Sequence, residues 1–365
     1  MKARVGLIGC GNIAGAYLPN LKQFPHLVVD ACADLHAGAA CALAEKFGIP
    51  RVLAPEELIA DPAIDLVVNL TIPQAHAGIN MACLQSGKHV FSEKPFALTR
   101  DEASGIVRVA AACGRRVGCA PDTVLGAGAQ TCRSLLDAGA IGRPVGFTAN
   151  MLCGGHEGWH PSPGFYYAAG GGPLFDMGPY YLHALLWLLG PVRSVSASAT
   201  ITFAERTITS QPKHGERITV EVPTHVLALL EFVSGAVGTL TMSFDVRGPH
   251  SNPRLEIYGE EGSLQVPDPN TFGGPVRVAP VRGEWSEVAL THGYATQSRG
   301  LGAADLAAAV SAGRDHRANE RLALHCVDIM ESIHESAREG RRIELGTTCE
   351  RPVPMASSLP QFILD

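Results

Sequence analysis

The first third of the chain alternates short apolar runs with segments of helical periodicity, and this alternation constrains the fold more than any other feature. The runs ARVGLIG, LVVDACA, DLVVNL and KHVFS are each followed by a helix-like stretch. Thr99, followed three residues later by Glu102, has the pattern of a capping box at the start of another helix. Strands that alternate with helices form a parallel sheet with helices on both faces. We therefore predict an α/β domain with a doubly wound parallel sheet over residues 1–122.

After residue 122 the alternation gives way to a series of strand-like segments with fewer helices. VGFTANMLC, VRSVSASATITF, THVLALLEFV, AVGTLTMSFDV and RLEIYG are separated by glycine, proline or short polar turns. Several strands with few crossover helices indicate an α+β domain with a mainly antiparallel sheet, which we assign to residues 123–365. THVLALLEFV and AVGTLTMSFDV show little alternation of apolar and polar residues, so both faces of this sheet need cover. We expect helices of the same chain to cover one face and a second subunit to cover the other, which would otherwise expose an apolar patch.

Charge and composition argue against several classes of protein. The formal net charge is -6 and the lysines and arginines are scattered, unlike those of a nucleic-acid groove. No stretch approaches the roughly 18 apolar residues of a membrane span. Gly9, Gly11 and Asn12 interrupt the apolar run near the N-terminus, unlike a signal peptide. The ten cysteines lack C-x-x-C and zinc spacing, so we interpret them as buried thiols of a cytoplasmic protein.

A G-x-G-x-x-A motif, Gly9-Cys10-Gly11-Asn12-Ile13-Ala14, lies between the first strand and the first helix. In this position the glycines allow the backbone to approach a pyrophosphate, and the helix N-terminus supplies free N–H groups. We therefore predict a dinucleotide-binding Rossmann domain in which Gly9, Gly11, Asn12 and Ile13 contact the cofactor.

Asp34 ends the second strand, about 20 residues past the glycines, where an acidic side chain accepts hydrogen bonds from the adenosine ribose. An acidic side chain would also repel a 2′-phosphate, and no arginine follows directly. We therefore predict NAD rather than NADP as the cofactor. The alternative is that Asp34 serves only as a turn or helix cap.

The segment GGHEGWHP contains H-E-x-x-H, which binds zinc when its two histidines share one face of a helix. Glycines before and inside the motif, and Pro161 and Pro163 after it, predict a loop instead. We therefore expect no zinc protease site. A non-helical metal site formed by His156 and His160 is the alternative.

A polar stripe runs along the helix predicted to follow this loop. Asp176, Tyr180, His183 and Trp187 recur at spacings of four, three and four residues, which places them on one helical face. Pro179 is predicted to lie in the first turn of this helix. The stripe is either exposed to solvent or lines a pocket for a polyol.

The tripeptide Glu93-Lys94-Pro95 ends a predicted strand of the parallel sheet. A lysine there faces the crevice in which such sheets bind ligands. Partial burial and a bound nicotinamide cation would both favour neutral lysine, which could then carry a proton. A lysine on a surface turn is the alternative that the residues alone leave open.

The glycine turn, Glu93-Lys94-Pro95 and GGGPLFDMGPYYLHALLWLLG together resemble the Gfo/Idh/MocA oxidoreductase family, and the resemblance covers essentially the whole chain in order. It implies an N-terminal Rossmann domain that binds NAD and a C-terminal domain whose open sheet often mediates oligomerisation. We accordingly expect a homo-oligomer, a dimer or tetramer, assembled through the C-terminal sheet.

The resemblance also implies roles for individual residues. Lys94 would lie between nicotinamide and substrate, and Asp122 matches a frequent substrate contact. The other positions implied to contact the cofactor are Leu70, Thr71, Ile72, His76 and Glu93.

The family pattern D-x-G-x-H-x-x-D is altered in this chain, with Tyr180 in place of its histidine and His183 in place of its second aspartate. We predict that Lys94 and Tyr180 form the acid/base pair, provided that a nearby cation lowers the pKa of the phenol. His183 is the second candidate, and Asp176 is predicted to orient the substrate or its neighbours.

The histidine-containing loop runs directly into this helix, so we expect it to cover the catalytic crevice. Aromatic stacking and hydrogen bonds to hydroxyl groups would suit four of its residues as substrate contacts: His156, Trp159, His160 and Tyr167. The alternative is a surface loop whose aromatic side chains only cover the core. A later polar cluster, His292, Tyr294 and Arg299, is predicted to form a solvated turn, with contact to the pocket as the alternative.

The sequence thus predicts an NAD(H)-dependent oxidoreductase that moves a hydride between nicotinamide and a carbinol carbon of a sugar, polyol or related cyclic alcohol. One alternative keeps the cofactor but uses transient oxidation to eliminate or hydrolyse a glycoside. Another is a non-catalytic NAD-binding regulator, although Lys94, Asp176 and Tyr180 in register argue against it. We expect no metal, nucleic-acid or membrane partner, because the cofactor carries the redox chemistry.

Overall fold

The computed structural model describes residues 2–357 and 359–365, which form two large sheets with helices packed against them. The strands of the first sheet are β1 (Ala3–Ile8), β2 (Leu27–Ala33), β3 (Arg51–Leu53), β4 (Leu66–Asn69), β5 (His89–Ser92) and β6 (Val117–Cys119). The helices between them are α1 (Ala14–Leu21), α2 (Ala37–Phe47), α3 (Pro55–Ala60), α4 (Pro73–Gln85) and α5 (Arg100–Ala112). All neighbouring strands are parallel, in the order β3-β2-β1-β4-β5-β6. The predicted doubly wound sheet is confirmed, and its order reverses between β1 and β4, where such sheets bind ligands.

Local sequence explains where two of these helices begin and end. Thr99 Oγ1 accepts the N–H of Glu102 at 3.1 Å, and the Glu102 carboxylate accepts the N–H of Thr99 at 3.2 Å. α5 therefore begins with the predicted capping box. α2 ends at Gly48, whose φ of 60° lies in the left-handed region that favours glycine.

The second sheet is built from later residues. Its strands are β7 (Pro144–Leu152), β8 (Val192–Thr200), β11 (His225–Phe232), β12 (Val237–Ser243), β13 (Leu255–Gly259), β14 (Gly262–Val266), β15 (Val276–Pro280), β16 (Ser286–Val288) and β17 (Ile343–Glu344), while β9 (Glu205–Thr207) and β10 (Arg217–Thr219) form a separate hairpin. The order is β16-β15-β14-β13-β7-β12-β11-β8-β17. Only β7 and β12 pair in parallel among the described strands of this sheet, so the predicted mainly antiparallel sheet is confirmed.

The helices of this second part are α6 (Ala127–Asp137), α7 (Gly172–Leu189), α8 (Leu301–Ala312) and α9 (Glu320–Glu339). α7 begins at Gly172, and Pro173 takes the position in its first turn, so the prediction that Pro179 lies there is wrong. α7 packs against β7, β11, β12 and α9. Tyr180 and His183 are only 6% and 3% exposed. The polar stripe therefore faces the interior, which excludes its interpretation as a solvent-exposed face.

The last two helices bridge the two sheets. α8 packs against α1, β5 and β6 of the first sheet, while α9 packs against α5, α7 and β8. An isolated antiparallel bridge also joins Gly118 of β6 to Asn319. Residues assigned by sequence to the second domain thus cover part of the first sheet, and the division at residue 122 stays a prediction.

One face of the nine-stranded sheet is open. In β11, Val226, Ala228 and Leu230 are buried, whereas Leu227 and Leu229 are 47% and 40% exposed. Burial thus alternates although polarity does not, because successive side chains of a strand point to opposite faces. The chain itself therefore covers one face and leaves the other open, as predicted, and coverage of the open face by a second subunit stays a prediction.

Two further expectations concern membranes and thiols. No helix within the described residues combines the length and the apolar character needed to cross a bilayer. All ten cysteines are free thiols; seven are buried, while Cys41 and Cys113 are exposed. The interpretation of the cysteines as buried thiols therefore holds for most of them.

Candidate active site

The turn between β1 and α1 forms a cradle at the carboxyl end of the first sheet. Gly9 has a φ of +99°, and a Cβ atom there would lie 2.5 Å from the carbonyl carbon and oxygen of Leu70. Within the described residues, the N–H groups of Gly11, Asn12 and Ile13 donate to no other group. Free N–H groups at the start of a helix bind anions. The turn therefore fits the pyrophosphate of a dinucleotide, as the sequence predicts.

Asp34 joins the end of β2 to this cradle. Its Oδ2 accepts the N–H of Cys10 at 2.8 Å, and its Oδ1 accepts the N–H of His36 at 2.8 Å. The carboxylate thus orders the glycine turn and the residues before α2 at the same time. It lies where the adenosine side of a dinucleotide would extend past β2, so a ribose contact stays a prediction.

The segment after β4 borders the cradle. Leu70 is buried and contacts Gly9, whereas the side chain of Ile72 is 65% exposed. His76 is buried, with Nδ1 2.7 Å from the carbonyl oxygen of Pro95 and Nε2 3.0 Å from that of Thr71. Burial lowers the pKa of His76. Because both ring nitrogens face backbone carbonyls, we reassign His76 from contacting the cofactor to joining these two segments.

Glu93 fixes the turn that follows β5. Its Oε1 accepts the hydroxyl of Tyr17 at 2.7 Å, and its Oε2 accepts the N–H of Lys94 at 2.9 Å. Tyr17 belongs to α1, which begins at the glycine cradle. Glu93 therefore ties the position of Lys94 to the helix that would carry the pyrophosphate.

Lys94 and Asp176 form the central ion pair of the site. Lys94 Nζ donates to the backbone carbonyl of Asp176 at 2.6 Å and lies 3.0 Å from its Oδ1. Burial opposes the charge of Lys94, but Asp176, Tyr180 and Glu93 together outweigh burial and raise the pKa of the ammonium. Burial likewise opposes the charge of Asp176, but Lys94 and His156 lower the pKa of this carboxyl to about 2. Both groups are therefore ionised at neutral pH in this state.

Tyr180 lies between this pair and a second cation. Lys94 Nζ is 5.2 Å from the centre of the Tyr180 ring, and Arg299 Nη2 is 3.4 Å from the Tyr180 hydroxyl. Burial raises the pKa of Tyr180, and the two nearby cations do not offset it. The expectation that a cation lowers this pKa below its usual value is therefore wrong, and Tyr180 is a neutral phenol.

His183 lies apart from this cluster. Its Nδ1 contacts the carbonyl oxygen of Pro179 at 2.8 Å, and its Nε2 has no hydrogen-bond partner among the described residues. Burial lowers the pKa of His183 to about 4. Since no hydrogen bond joins it to Lys94, Asp176 or Tyr180 in this part of the chain, the structure favours Tyr180 over His183 as the partner of Lys94.

Asp122 is buried and serves as a helix cap. Its Oδ2 accepts the N–H groups of Gly300 at 2.8 Å and Gly302 at 3.0 Å, at the start of α8. Burial raises the pKa of Asp122 to about 6, despite the opposing effect of these two hydrogen bonds. Because the carboxylate is already engaged in the interior, we reassign Asp122 from substrate contact to holding α8 against the first sheet.

The loop that contains H-E-x-x-H has no helix over residues 153–162, as predicted. Glu157, which would be the general base of a zinc protease, pairs with Arg206 at 2.6 Å and accepts the hydroxyl of Tyr167. His156 lies over α7, with Nε2 3.6 Å from Asp176 Oδ2. Within residues 2–357 and 359–365, no group of three or more histidine, cysteine or carboxylate side chains could hold a metal ion.

The other predicted loop residues differ in accessibility. Trp159 is 62% exposed at the rim. His160 is partly exposed, and its Nδ1 accepts the N–H of Ser162 at 3.0 Å. Tyr167 is completely buried beneath the loop, with its hydroxyl on Glu157. Tyr167 therefore stabilises the loop, and its predicted stacking on a ligand is wrong in this conformation.

Two further residues lie at the site: Tyr166, which the sequence offered only as one of several loop aromatics able to stack on a ligand, and Arg299. Tyr166 stacks on His156 with ring centroids 4.0 Å apart, and burial followed by the charge of Asp176 raises the pKa of Tyr166 to about 12. Arg299, predicted to lie on a solvated turn, contacts Tyr180 and donates to Asn270 Oδ1 at 2.7 Å. Its neighbour in the same cluster, Tyr294, is also buried. No periodic pattern marks Arg299, because a loop brings it to α7.

The arrangement combines a dinucleotide cradle with groups that can move or hold a proton. The ammonium of Lys94, the carboxylate of Asp176 and the phenol of Tyr180 come from the carboxyl end of β5 and from α7. Such groups beside a nicotinamide can exchange a proton with a hydroxyl group while a hydrogen leaves its carbon.

Two family models match the chain. Residues 3–120 match the Gfo/Idh/MocA model described as an oxidoreductase family with an NAD-binding Rossmann fold. Residues 129–265 match the model of the Gfo/Idh/MocA C-terminal domain. The two models thus cover the first sheet and much of the second.

Proteins with assigned activities are similar to this chain over most of their length. Levoglucosan dehydrogenase of Pseudarthrobacter phenanthrenivorans is 26% identical over 71% of this chain and 72% of its own. Myo-inositol 2-dehydrogenase of Thermotoga maritima is 25% identical over 72% of this chain and 74% of its own. A solved structure of levoglucosan dehydrogenase in complex with NADH and levoglucosan matches with a TM-score of 0.82 at 23% identity, over 95% of this chain and 100% of that chain. This last likeness shows a shared fold.

Proposed function

We infer that this chain, which belongs to the Gfo/Idh/MocA family of oxidoreductases, uses NAD to oxidise or reduce a carbinol carbon of a sugar, polyol or related cyclic alcohol. The family and fold predicted from the sequence are confirmed. The substrate class is supported by relatives named for levoglucosan and myo-inositol. The observation that carries the proposal is the contact of Lys94 with Asp176 beside the glycine cradle.

The residues present fit the cofactor. Gly9 leaves room that a Cβ atom would fill, the N–H groups of Gly11, Asn12 and Ile13 are free for a pyrophosphate, and Asp34 lies past β2 for a ribose. When bound, NAD would supply the redox chemistry, which is hydride transfer between nicotinamide and the carbinol carbon.

The chain's own contribution is to position the substrate hydroxyl and to move its proton. In our proposal the positive charge of a bound nicotinamide favours release of the proton from the Lys94 ammonium. The neutral amine then accepts the hydroxyl proton during oxidation and returns it during reduction. The neutral phenol of Tyr180 donates a hydrogen bond to the same oxygen, and Asp176 orients the Lys94 ammonium. Trp159 and His160 are proposed to contact the remaining hydroxyl groups and sugar face at the rim, whereas His156, predicted from the sequence as a further substrate contact, faces Asp176.

The test is NAD reduction measured against a panel of sugars, inositols and glycosides. We expect at least one compound to support turnover and Lys94→Met to lower turnover at least about a hundredfold, the usual contribution of a general base. NAD affinity should change much less. The matched control is Lys46→Met, because Lys46 is exposed at the end of α2.

Failure of every compound in the panel, with NAD bound normally, would contradict the proposed activity. An NAD that stays bound and is regenerated in each turnover, with a cleaved glycoside as the product, would favour transient oxidation instead. Lys94 contacts both Asp176 and Tyr180. This intact arrangement supports a catalytic role over a purely regulatory one.

Assembly, location and the domain division belong to the same proposal. The open sheet face with Leu227 and Leu229 is proposed to pair two chains into a dimer, and the assembly is either this dimer or a tetramer made of two such dimers. Ten free thiols support a reducing cytoplasm as the location.

We propose residues 1–122 as the cofactor-binding unit and residues 123–365 as the unit that binds the substrate and forms the subunit interface.

A further inference from the structure

His156 is a partly buried side chain whose ring nitrogens make no hydrogen bond among the described residues. Both ring nitrogens are shielded from solvent and have no hydrogen-bond partner among the described residues. The side chain as a whole is 12% exposed, and its Nε2 lies 3.6 Å from Asp176 Oδ2, within ion-pair distance. Burying polar atoms without partners is unfavourable, so this placement calls for an interaction with Asp176 or with a bound molecule.

The Asp176 carboxylate is shared between two side chains. Its Oδ1 lies 3.0 Å from Lys94 Nζ, and its Oδ2 faces His156. Lys94 Nζ has no hydrogen-bond partner within the described residues other than Asp176. Because one carboxylate carries one negative charge, a stronger interaction with His156 weakens its hold on the proton of Lys94.

The position of His156 is fixed independently of Asp176. The next residue, Glu157, is held by the fully buried guanidinium of Arg206. The imidazole itself packs against Tyr166 and Phe244, with ring centroids 4.0 Å and 4.5 Å away. The loop therefore presents the imidazole to the carboxylate in a defined place.

We propose that His156 is a positioning residue for Lys94, which acts through the carboxylate of Asp176 and sets how firmly the Lys94 ammonium keeps its proton. The proposal rests on the proposed function only where it makes Lys94 the base. An N–H of His156 directed at Oδ2 satisfies part of the carboxylate, so Lys94 releases its proton more readily. Protonation of the imidazole strengthens the same effect.

Other titratable or charged groups face this pair from the elements packed around it. They are Lys94 after β5, Tyr180 on α7, Glu157, His160 and Tyr166 in the loop, and Arg206 on β9. The charge of Glu157 is paired with Arg206, and burial keeps the phenols of Tyr166 and Tyr180 neutral. Burial also lowers the pKa of His160. Asp176 and Lys94 are therefore the charges that act on His156 near neutral pH.

The first test needs no substrate. The titration of the His156 ring is followed by NMR in cofactor-free protein, with the resonance assigned from His156→Asn. We expect its midpoint to move to higher pH in Lys94→Met, because Asp176 loses its competing partner, and to lower pH in Asp176→Asn. Thr209→Val is the matched control, because Thr209 contacts the loop at the carbonyl of Glu157 rather than at Asp176. A midpoint unmoved in both Lys94→Met and Asp176→Asn overturns the proposal, whether or not any alcohol is a substrate.

The second test uses the pH profile of kcat/KM for alcohol oxidation. Loss of the imidazole in His156→Phe should move the acidic limb to higher pH, since Asp176 then holds Lys94 more firmly. Each pH unit of displacement corresponds to about a tenfold loss of rate below the limb. His156→Asn, which keeps an N–H donor, should restore part of the displacement. If the acidic limb of the His156→Phe profile does not move and the rate falls equally at every pH, the proposal is overturned and His156 contacts the substrate instead. Absence of all activity would contradict the proposed function, while the NMR result would still decide this inference.

Discussion

At the scale of single residues, the ion pair of Lys94 and Asp176 decides the protonation state at the centre of the site. Partial burial alone would favour neutral lysine. The carboxylate 3.0 Å from Nζ, together with Glu93 and Tyr180, outweighs burial, and the pKa of Lys94 is raised. A bound nicotinamide cation acts in the opposite direction from Asp176. The base of the proposed reaction is therefore created by cofactor binding rather than by burial.

The acid/base assignment predicts a ranking of three variants. Tyr180→Phe should lower turnover, but by less than Lys94→Met, because a neutral phenol supplies a hydrogen bond while lysine takes the proton. His183→Asn should change turnover little, since the Pro179 carbonyl is the only hydrogen-bond partner of His183 among the described residues and the imidazole is neutral above its pKa of about 4. Steady-state kinetics with the best substrate of the panel checks the ranking. If His183→Asn abolishes turnover while Tyr180→Phe preserves it, histidine is the base.

Asp34 predicts cofactor choice. NAD should bind more tightly than NADP, because a 2′-phosphate would meet the carboxylate that already accepts the N–H groups of Cys10 and His36. Asp34→Ala should reduce the difference between the affinities for NAD and NADP, because it removes the repulsion of the 2′-phosphate. It also removes two hydrogen bonds from the turn. Fluorescence titration with both dinucleotides measures the ratio. A preference for NADP in the unsubstituted protein would refute the prediction.

At the scale of elements, the site is assembled by the ends of strands and helices. The glycine turn joins β1 to α1, Glu93 and Lys94 follow β5, and Asp176 and Tyr180 lie on α7. α8 closes the same edge, because the buried carboxylate of Asp122 binds its first N–H groups. The helix cap thus holds a late segment of the chain beside the catalytic residues.

The cap of α8 predicts a pH dependence of stability. Burial raises the pKa of Asp122 from 3.8 to about 6, so folding favours its protonated form. The contribution of protonated Asp122 to the free energy of unfolding is fully present below about pH 4 and is lost as pH rises through 6. The loss amounts to about 1.4 kcal/mol for each pH unit between these values. Asp122→Asn keeps an acceptor but does not ionise. The free energy of unfolding of this variant, relative to the unsubstituted protein, should therefore improve between pH 4 and pH 8.

Urea denaturation at both pH values measures this difference. The matched control is Asp101→Asn in the first turn of α5, because Asp101 is exposed and carries no such burial. A relative stability of Asp122→Asn that is the same at both pH values would show that the cap is ionised without cost.

At the scale of the whole molecule, the nine-stranded sheet leaves an apolar region uncovered. Leu227, Leu229 and Val237 are 47%, 40% and 42% exposed, on adjacent strands of one face. Exposed apolar surface of this kind marks interfaces between proteins. A second copy of the chain related by a twofold axis would cover the face with its own equivalent strands.

The open face predicts assembly through the sheet. The unsubstituted protein should sediment as a dimer or tetramer, and Leu227→Lys combined with Leu229→Lys should shift it to monomer, because buried charges would oppose pairing. Val281→Lys is the matched control, since Val281 is 62% exposed but lies in the turn beyond β15. A dilute unsubstituted sample that sediments as a monomer would contradict the prediction.

The sequence by itself determined the features that depend on local periodicity and backbone geometry. The parallel sheet, the capping box of α5, the glycine cradle and the absence of a helix in H-E-x-x-H all follow from residues close together in the chain. Lys94, Asp176 and Tyr180 were also predicted from their motifs and the family resemblance, and the structure brings them close together. Such signals suffice because turn, cap and strand preferences act over a few residues.

Only the tertiary structure decided which polar side chains meet and which are already engaged. Asp122 and Tyr167 look available in the sequence but are buried against α8 and Glu157, while Arg299 reaches Tyr180 from a segment predicted to be solvated. The sequence also favoured a neutral Lys94, whereas the carboxylate of Asp176, which only the tertiary structure places beside it, helps to raise its pKa. Burial and electrostatic partners are set by contacts between distant parts of the chain, so no local pattern records them.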